Sequence, residues 1–263
     1  MAVIFAIANQ KGGVGKTTTS VNIAASLAAT RRRVLLVDLD PQGNATMGSG
    51  VDKRAVATSI YDVLMGEASV AEAVVRAGDA GFDLLPANAD LTGAEVGLLE
   101  EIGRELRLKS ALEPAREQYS HVIIDCPPSL NMLTVNALVA ADAVIIPAQC
   151  EYFALEGISA LLETIGKIRK FLNPALRVEG VLRTMFDPRN NLSNQVSQQL
   201  IEHFGNKVYQ TVIPRNVRLA EAPSHGLPAL LYDKTSPGAM AYLTLAGEML
   251  RREEAVAARG EQA

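Results

Sequence analysis

The chain has no tryptophan, two cysteines and 5% aromatic residues among its 263. Cys126 and Cys150 do not make the close-spaced pair that holds zinc or runs thiol redox chemistry, so they read as buried small hydrophobes in a reducing compartment. No apolar run approaches the length of a membrane span. The N-terminus lacks the basic region and small-residue cleavage site of a secretory signal, which predicts a cytoplasmic protein. Positive charge is not in excess: a formal net charge of −4 excludes nucleic-acid binding through bulk charge and leaves room for a local basic face. His121, His203 and His225 are too scattered for a metal cluster, and none has the context of a catalytic triad. Without a Pro/Gly/Ser linker or a solenoid repeat, one domain over residues 1–263 is expected, with 251–263 as a frayed, solvated tail.

What is present is 48% hydrophobic and falls into short runs of strand length. These are Val3–Ala8, Arg33–Asp38, Phe82–Leu85, His121–Asp125, Ala143–Pro147, Arg177–Leu182 and Val208–Ile213. Segments with helical periodicity separate most of them: Thr17–Ala29, Gly103–Tyr119, Leu130–Ala140, Leu155–Phe171 and Asn194–Phe204, with a terminal helix over Gly238–Arg259. Val51–Gly81 reads as a helical insertion on the sheet's edge. The alternation predicts an α/β fold, a mostly parallel sheet with helices on both faces.

Lys11-Gly12-Gly13-Val14-Gly15-Lys16-Thr17-Thr18 follows the first strand and opens the first helix, the setting that a phosphate-binding loop requires. Glycines let backbone N–H groups turn toward phosphate oxygens, and the helix start adds its unpaired donors. Lys16 is expected to meet the β- and γ-phosphates of ATP, and the Thr17 hydroxyl to ligate Mg²⁺. The loop departs from the standard pattern, with Gln10 where that pattern has glycine and a second lysine, Lys11, one residue on.

Two carboxylates are expected to complete the site, because ligands of doubly wound sheets bind beyond the carboxyl ends of strands. Asp125 ends an apolar strand and is the candidate partner of Mg²⁺, directly or through water. Asp40 stands just past the second strand, where Pro41 and Gly43 make a segment that a ligand can rebuild; it is placed to sense the γ-phosphate or orient the attacking water. Asp38 either caps the next element or takes a direct part.

In order and spacing, Lys11–Thr18, Asp38–Gly43, Asp125-Cys126-Pro127-Pro128-Ser129, Met185–Ser193 and Ile213–Gly226 resemble the ParA/Soj branch of the deviant-Walker P-loop ATPases, which also include MinD-like proteins. The resemblance covers nearly the whole chain. It implies an ATP-sandwiched homodimer that binds double-stranded DNA without sequence preference, and a centromere-bound ParB-type partner that stimulates hydrolysis to ADP and phosphate in chromosome or plasmid partition. It implies that Lys11 crosses to the partner subunit's phosphates, that Asp125–Pro128 is a second switch, and that Pro214, Arg215 and Asn216 lie near the base. A nucleoid-associated location follows. Because the sequence starts at the first strand, the helix-turn-helix extension of operator-binding plasmid forms is expected to be missing.

Arg189, Arg215 and Arg218, flanked by Asn190, Asn191 and Asn216, are the candidate DNA contacts, suited to phosphates rather than bases. Arg31-Arg32-Arg33 follows the first helix, where cations offset the macrodipole, and reads as structural. A MinD-like membrane protein would end in a basic amphipathic helix; here Glu248–Ala258 has an alanine-weakened apolar face and paired acids, so no membrane partner is expected. A nonenzymatic DNA-compacting protein that binds nucleotide only to dimerise is the remaining alternative.

Overall fold

The computed structural model describes residues 1–260; the last three residues of the expected tail, 261–263, lie outside the described residues. Its elements run β1 (Val3–Ile7), α1 (Lys16–Ala29), β2 (Val34–Asp38), α2 (Asn44–Gly48), α3 (Ile60–Met65), α4 (Val70–Ala73), β3 (Val75–Arg76), β4 (Asp83–Leu85) and α5 (Leu91–Gly97). They continue with α6 (Arg107–Leu112), β5 (His121–Asp125), α7 (Met132–Ala140), β6 (Ala143–Gln149), α8 (Ala154–Phe171) and β7 (Arg177–Thr184). The chain then closes with α9 (Asn191–Phe204), α10 (Val217–Glu221), α11 (Ala229–Tyr232) and α12 (Pro237–Gly260).

The strands form one sheet of order β3-β4-β2-β5-β1-β6-β7. All neighbours are parallel except β3, which pairs antiparallel to β4. Period-two alternation sorts the core between two faces. Ile4, Ala6, Leu35, Val37, Val122 and Ile124 pack on one side with residues of α3, α7 and α8. Phe5, Ile7, Leu36 and Ile123 pack on the other with α1 and α12, where Tyr242 and Leu245 are fully buried. Strands covered on both faces have no polar side to show, and β1, β2 and β5 accordingly read as continuous apolar runs.

Four expectations are corrected. Val208–Ile213 is not a strand; it meets β7 at its two ends, where Val208 bridges Val181 and Ile213 N–H bonds the Arg183 carbonyl at 2.9 Å, while between them the backbone of Gln210 and Thr211 is bonded to Glu248 of α12 instead. The seventh strand is the short β3 inside the edge insertion, which is therefore not purely helical. Gly103–Tyr119 is broken into α6 and flanking 3-10 turns at Arg104–Leu106 and Pro114–Glu117, since Pro114 has no N–H to continue the helix. At the other end, α12 continues through residues expected to fray: Glu253 bonds His121, and Arg252 donates to the carbonyl of Val208 at 3.0 Å. Among the described residues no helix is long and apolar enough to cross a membrane.

Candidate active site

β1 delivers the chain into the glycine-rich loop at the carboxyl end of the sheet. Gly13 and Gly15 have φ of 73° and 85°, a left-handed backbone that L side chains rarely adopt, and Gly15 leads directly into α1. A Cβ added at Gly12, Gly13 or Gly15 would meet no atom within 4 Å, so the glycines border open space. The loop is pinned from the sheet, where Thr184 at the end of β7 donates its hydroxyl to the carbonyl of buried Val14 at 2.8 Å. Lys16 is buried, and its ammonium donates at 3.1 Å to the carbonyl of Lys11, folded over its own loop. Burial lowers its pKa against the opposing pull of the nearby Asp125, Cys126 and Asp40. Thr17 and Thr18, half-buried, open onto a cleft of about 380 Å³ shared with Met47 and Pro223.

Asp125 and Asp38 end adjacent strands in register, and both are completely buried. Asp125 accepts the Ser20 hydroxyl at 2.8 Å with Oδ1, while Oδ2 is shut from solvent without a partner. Burial and then the Asp38 charge push its pKa well up, opposed by the Thr17 and Ser20 hydroxyls. Asp38 is also raised by burial, but it accepts three bonds: Thr46 N–H and hydroxyl, both at 2.7 Å, and Asp40 N–H at 3.2 Å. That bonding gives Asp38 the work of holding the Asp40–Thr46 segment in place. Asp40 is itself buried, its carboxylate accepting Gln42 N–H at 2.9 Å.

Lys11 is partly exposed and forms an ion pair with Glu151 at 2.5 Å. Pro214, Arg215 and Asn216 are brought to the loop by β7: Pro214 bridges to Phe186, and Arg215 N–H bonds the Phe186 carbonyl at 3.3 Å, two residues beyond the Thr184 that pins Val14. Asn216 precedes α10, with its side-chain oxygen buried and unpartnered.

The three candidate DNA arginines are not one free patch. Arg189 is exposed but doubly bonded to Asp187 at 2.9 and 2.8 Å, and the charge of Arg215 acts on the same carboxylate. Arg218 stands in a separate cluster with Glu221 at 2.8 Å and Asp233 at 3.4 Å. Asp187 and Glu221 are short-range neighbours that arginine counting ignores, whereas Asp233 reaches Arg218 through the fold.

Sequence reasoning missed Ser20, Thr46, Glu151 and Thr184. Ser20 had a local signal, since it lies one helical turn after Lys16 on the face turned to the sheet. Thr46, Glu151 and Thr184 meet their partners only through the fold.

A glycine-rich turn from a central strand into a helix, with lysine and threonine at the helix start and strand-end carboxylates beside it, defines a P-loop nucleotide-binding protein; the second lysine makes it the deviant-Walker type. A family model described as an AAA domain matches residues 2–178. Chromosome partitioning protein ParA of Caulobacter vibrioides is 55% identical over 252 residues, covering 95% of this chain and 94% of that protein. Sporulation initiation inhibitor protein Soj of Bacillus subtilis is 55% identical over 249 residues, covering 95% and 98%. Among solved structures, one named cobyrinic acid a,c-diamide synthase, from Mycobacterium smegmatis with bound ADP and magnesium, superposes with a TM-score of 0.85 at 42% identity, covering 97% of this chain and 96% of that one. The chain belongs to the ParA/Soj family of chromosome-partitioning ATPases.

Proposed function

We propose that this chain is an ATP-driven DNA-partitioning switch, a cytoplasmic, nucleoid-associated ATPase whose Mg·ATP form is a homodimer. The single observation that carries the reading is the pair of lysines in one loop, one buried over the phosphate cradle and one at the surface. Lys16 folds back on the Lys11 carbonyl, a weak partner that a triphosphate replaces. Lys11 is held by Glu151, and releasing that ion pair frees it to reach the phosphates of a second subunit.

The residues fit ATP and Mg²⁺ on two counts: open space at three glycines, and the buried, unpartnered Oδ2 of Asp125 beside the Thr17 hydroxyl. Mg²⁺ held by Thr17 and Asp125 would supply positive charge to the phosphates during hydrolysis. Lys16 offsets charge on the β- and γ-phosphates, and Lys11 does so across the dimer. Asp40 orients the water that attacks the γ-phosphorus. Because Asp40 and Thr46 are both tied to Asp38, a change at Asp40 is transmitted to α2. Asn216, with an amide in need of a partner, and the backbone of Pro214 and Arg215 frame the base. The dimer binds double-stranded DNA through phosphate contacts that include Arg189, Arg215 and Arg218. A ParB-type partner stimulates hydrolysis and so release.

Sedimentation with ATP and a non-hydrolysable analogue tests the reading. Wild type is expected to dimerise, and Lys11→Ala to remain a folded, nucleotide-binding monomer with impaired turnover. A Lys11→Ala dimer of normal stability would exclude the role across the interface.

A further inference from the structure

Arg31, Arg32 and Arg33 sit at the end of the sheet opposite the phosphate loop. They enter β2, whose other end carries Asp38, and five residues of strand span about 17 Å. All three are exposed. None takes part in an ion pair among the described residues, in contrast to Arg189 and Arg218.

Their backbone adds an independent observation. α1 closes with Arg32 N–H bonded to the Leu27 carbonyl at 3.3 Å and Arg31 N–H to the Ala28 carbonyl at 2.8 Å. In this helix-ending motif the left-handed residue is usually glycine. Here it is Arg31, with φ of 65°. Compensating the helix dipole does not require an arginine at the strained position when Arg32 and Arg33 follow, and strain held at a charged, exposed residue points to use of the side chain. Arg32 and Arg33 also line a cleft of about 410 Å³ with Arg76, Asp83, Gln118 and Tyr119. The one carboxylate there, Asp83, is already engaged by Arg76 and by the Tyr119 hydroxyl, each at 3.0 Å.

We propose that Arg31, Arg32 and Arg33 form a second contact surface for the phosphate backbone of duplex DNA, at the far end of the molecule from the ATP site. The proposal rests on the reading of the chain as a DNA-binding ATPase. Guanidinium groups match phosphate oxygens bidentately, and unpaired ones need not first surrender a carboxylate. Thr30 and buried Val34 flank the run, so it offers no apolar surface of the kind that accompanies basic residues at a membrane.

The test is duplex binding by a variant carrying Arg31→Gly, Arg32→Ala and Arg33→Ala, measured with a random-sequence fragment and a non-hydrolysable ATP analogue across a salt series. Glycine accepts the φ of position 31 without strain, so thermal melting should show an intact fold, and ATP turnover should match wild type. Affinity at low salt is expected to fall about tenfold or more, and the slope of log affinity against log salt to flatten by about 0.9 for each phosphate that is no longer neutralised. Wild-type affinity and slope in the variant would overturn the surface while leaving the partition reading intact. If the wild-type protein bound no duplex with any nucleotide, both would fall.

Discussion

Asp125 and Glu248 are both buried carboxylates, and the molecule treats them in opposite ways. Glu248, on α12, accepts Gln210 N–H at 2.9 Å, Thr211 N–H at 2.9 Å, the Thr211 hydroxyl at 2.7 Å and Arg252 at 2.9 Å. Burial pushes its pKa up, but the bonds from Thr211 and Gln210 and the Arg252 charge outweigh it, leaving the group below the usual glutamate range. Asp125 has one protein donor in place and an idle oxygen, and its pKa is held up. A carboxylate whose lone pairs are filled by its own chain is a clamp. One left short beside a threonine, a lysine and an open glycine cradle is suited to a ligand that brings its own charge.

Asp125→Asn should separate the two kinds most widely. ATP turnover with Mg²⁺ is expected to drop about a hundredfold or more, since the metal loses an anionic ligand. The nucleotide-free protein should nonetheless gain about 1 kcal/mol of stability at neutral pH, because folding no longer has to protonate a buried carboxyl while the bond from Ser20 is kept. The sign follows from the raised pKa. Stability associated with the protonated group is full below the unfolded value, about 3.9, and is lost as pH rises through the folded value, so the advantage of asparagine should grow with pH. Chemical denaturation of both proteins between pH 4 and pH 8 checks it; a destabilised variant would mean that Asp125 is a clamp as well.

Glu248→Gln should do the reverse, leaving ATP hydrolysis near wild type and costing about 1–3 kcal/mol at pH 7 through two backbone donors and an arginine deprived of a charged acceptor. Here the folded pKa is depressed. The stabilisation is present above the unfolded value of about 4.3 and is lost as pH falls through the folded value, so variant and wild type should converge in acid. Thr211→Val removes one hydroxyl donor and should cost about 1 kcal/mol, read as a small shift in melting temperature.

The same contrast explains what was legible in the sequence. The phosphate loop, the strand-end aspartates and six of the seven strands follow from local pattern: glycine where φ is positive, lysine and threonine at a helix start, apolar runs closed by an acid. Local pattern also made Val208–Ile213 a strand, because it is a short run rich in β-branched and aromatic residues. What diverts its backbone is Glu248, about forty residues away, and no window of sequence contains that competition. β3 is two residues long and exposed, too short to have a period. At the site, Lys11 and Lys16 could be named from spacing, but Glu151, the residue that holds Lys11 in the single chain, arrives from the far end of β6. The charges of Arg189 and Arg218 were visible, and the Asp187 and Glu221 that engage them lie only two and three residues away. They were overlooked because charge of one sign was counted without its nearest opposite.

The most direct test of the switch is duplex DNA affinity measured on one preparation with ADP, with ATP and with a non-hydrolysable analogue, read beside sedimentation. A dimer that presents two sets of phosphate contacts together should bind DNA tightly with the analogue, and ADP should return both affinity and mass to those of the monomer. Equal DNA affinity in all three nucleotide states, or a dimer whose mass ignores the nucleotide, would contradict the account.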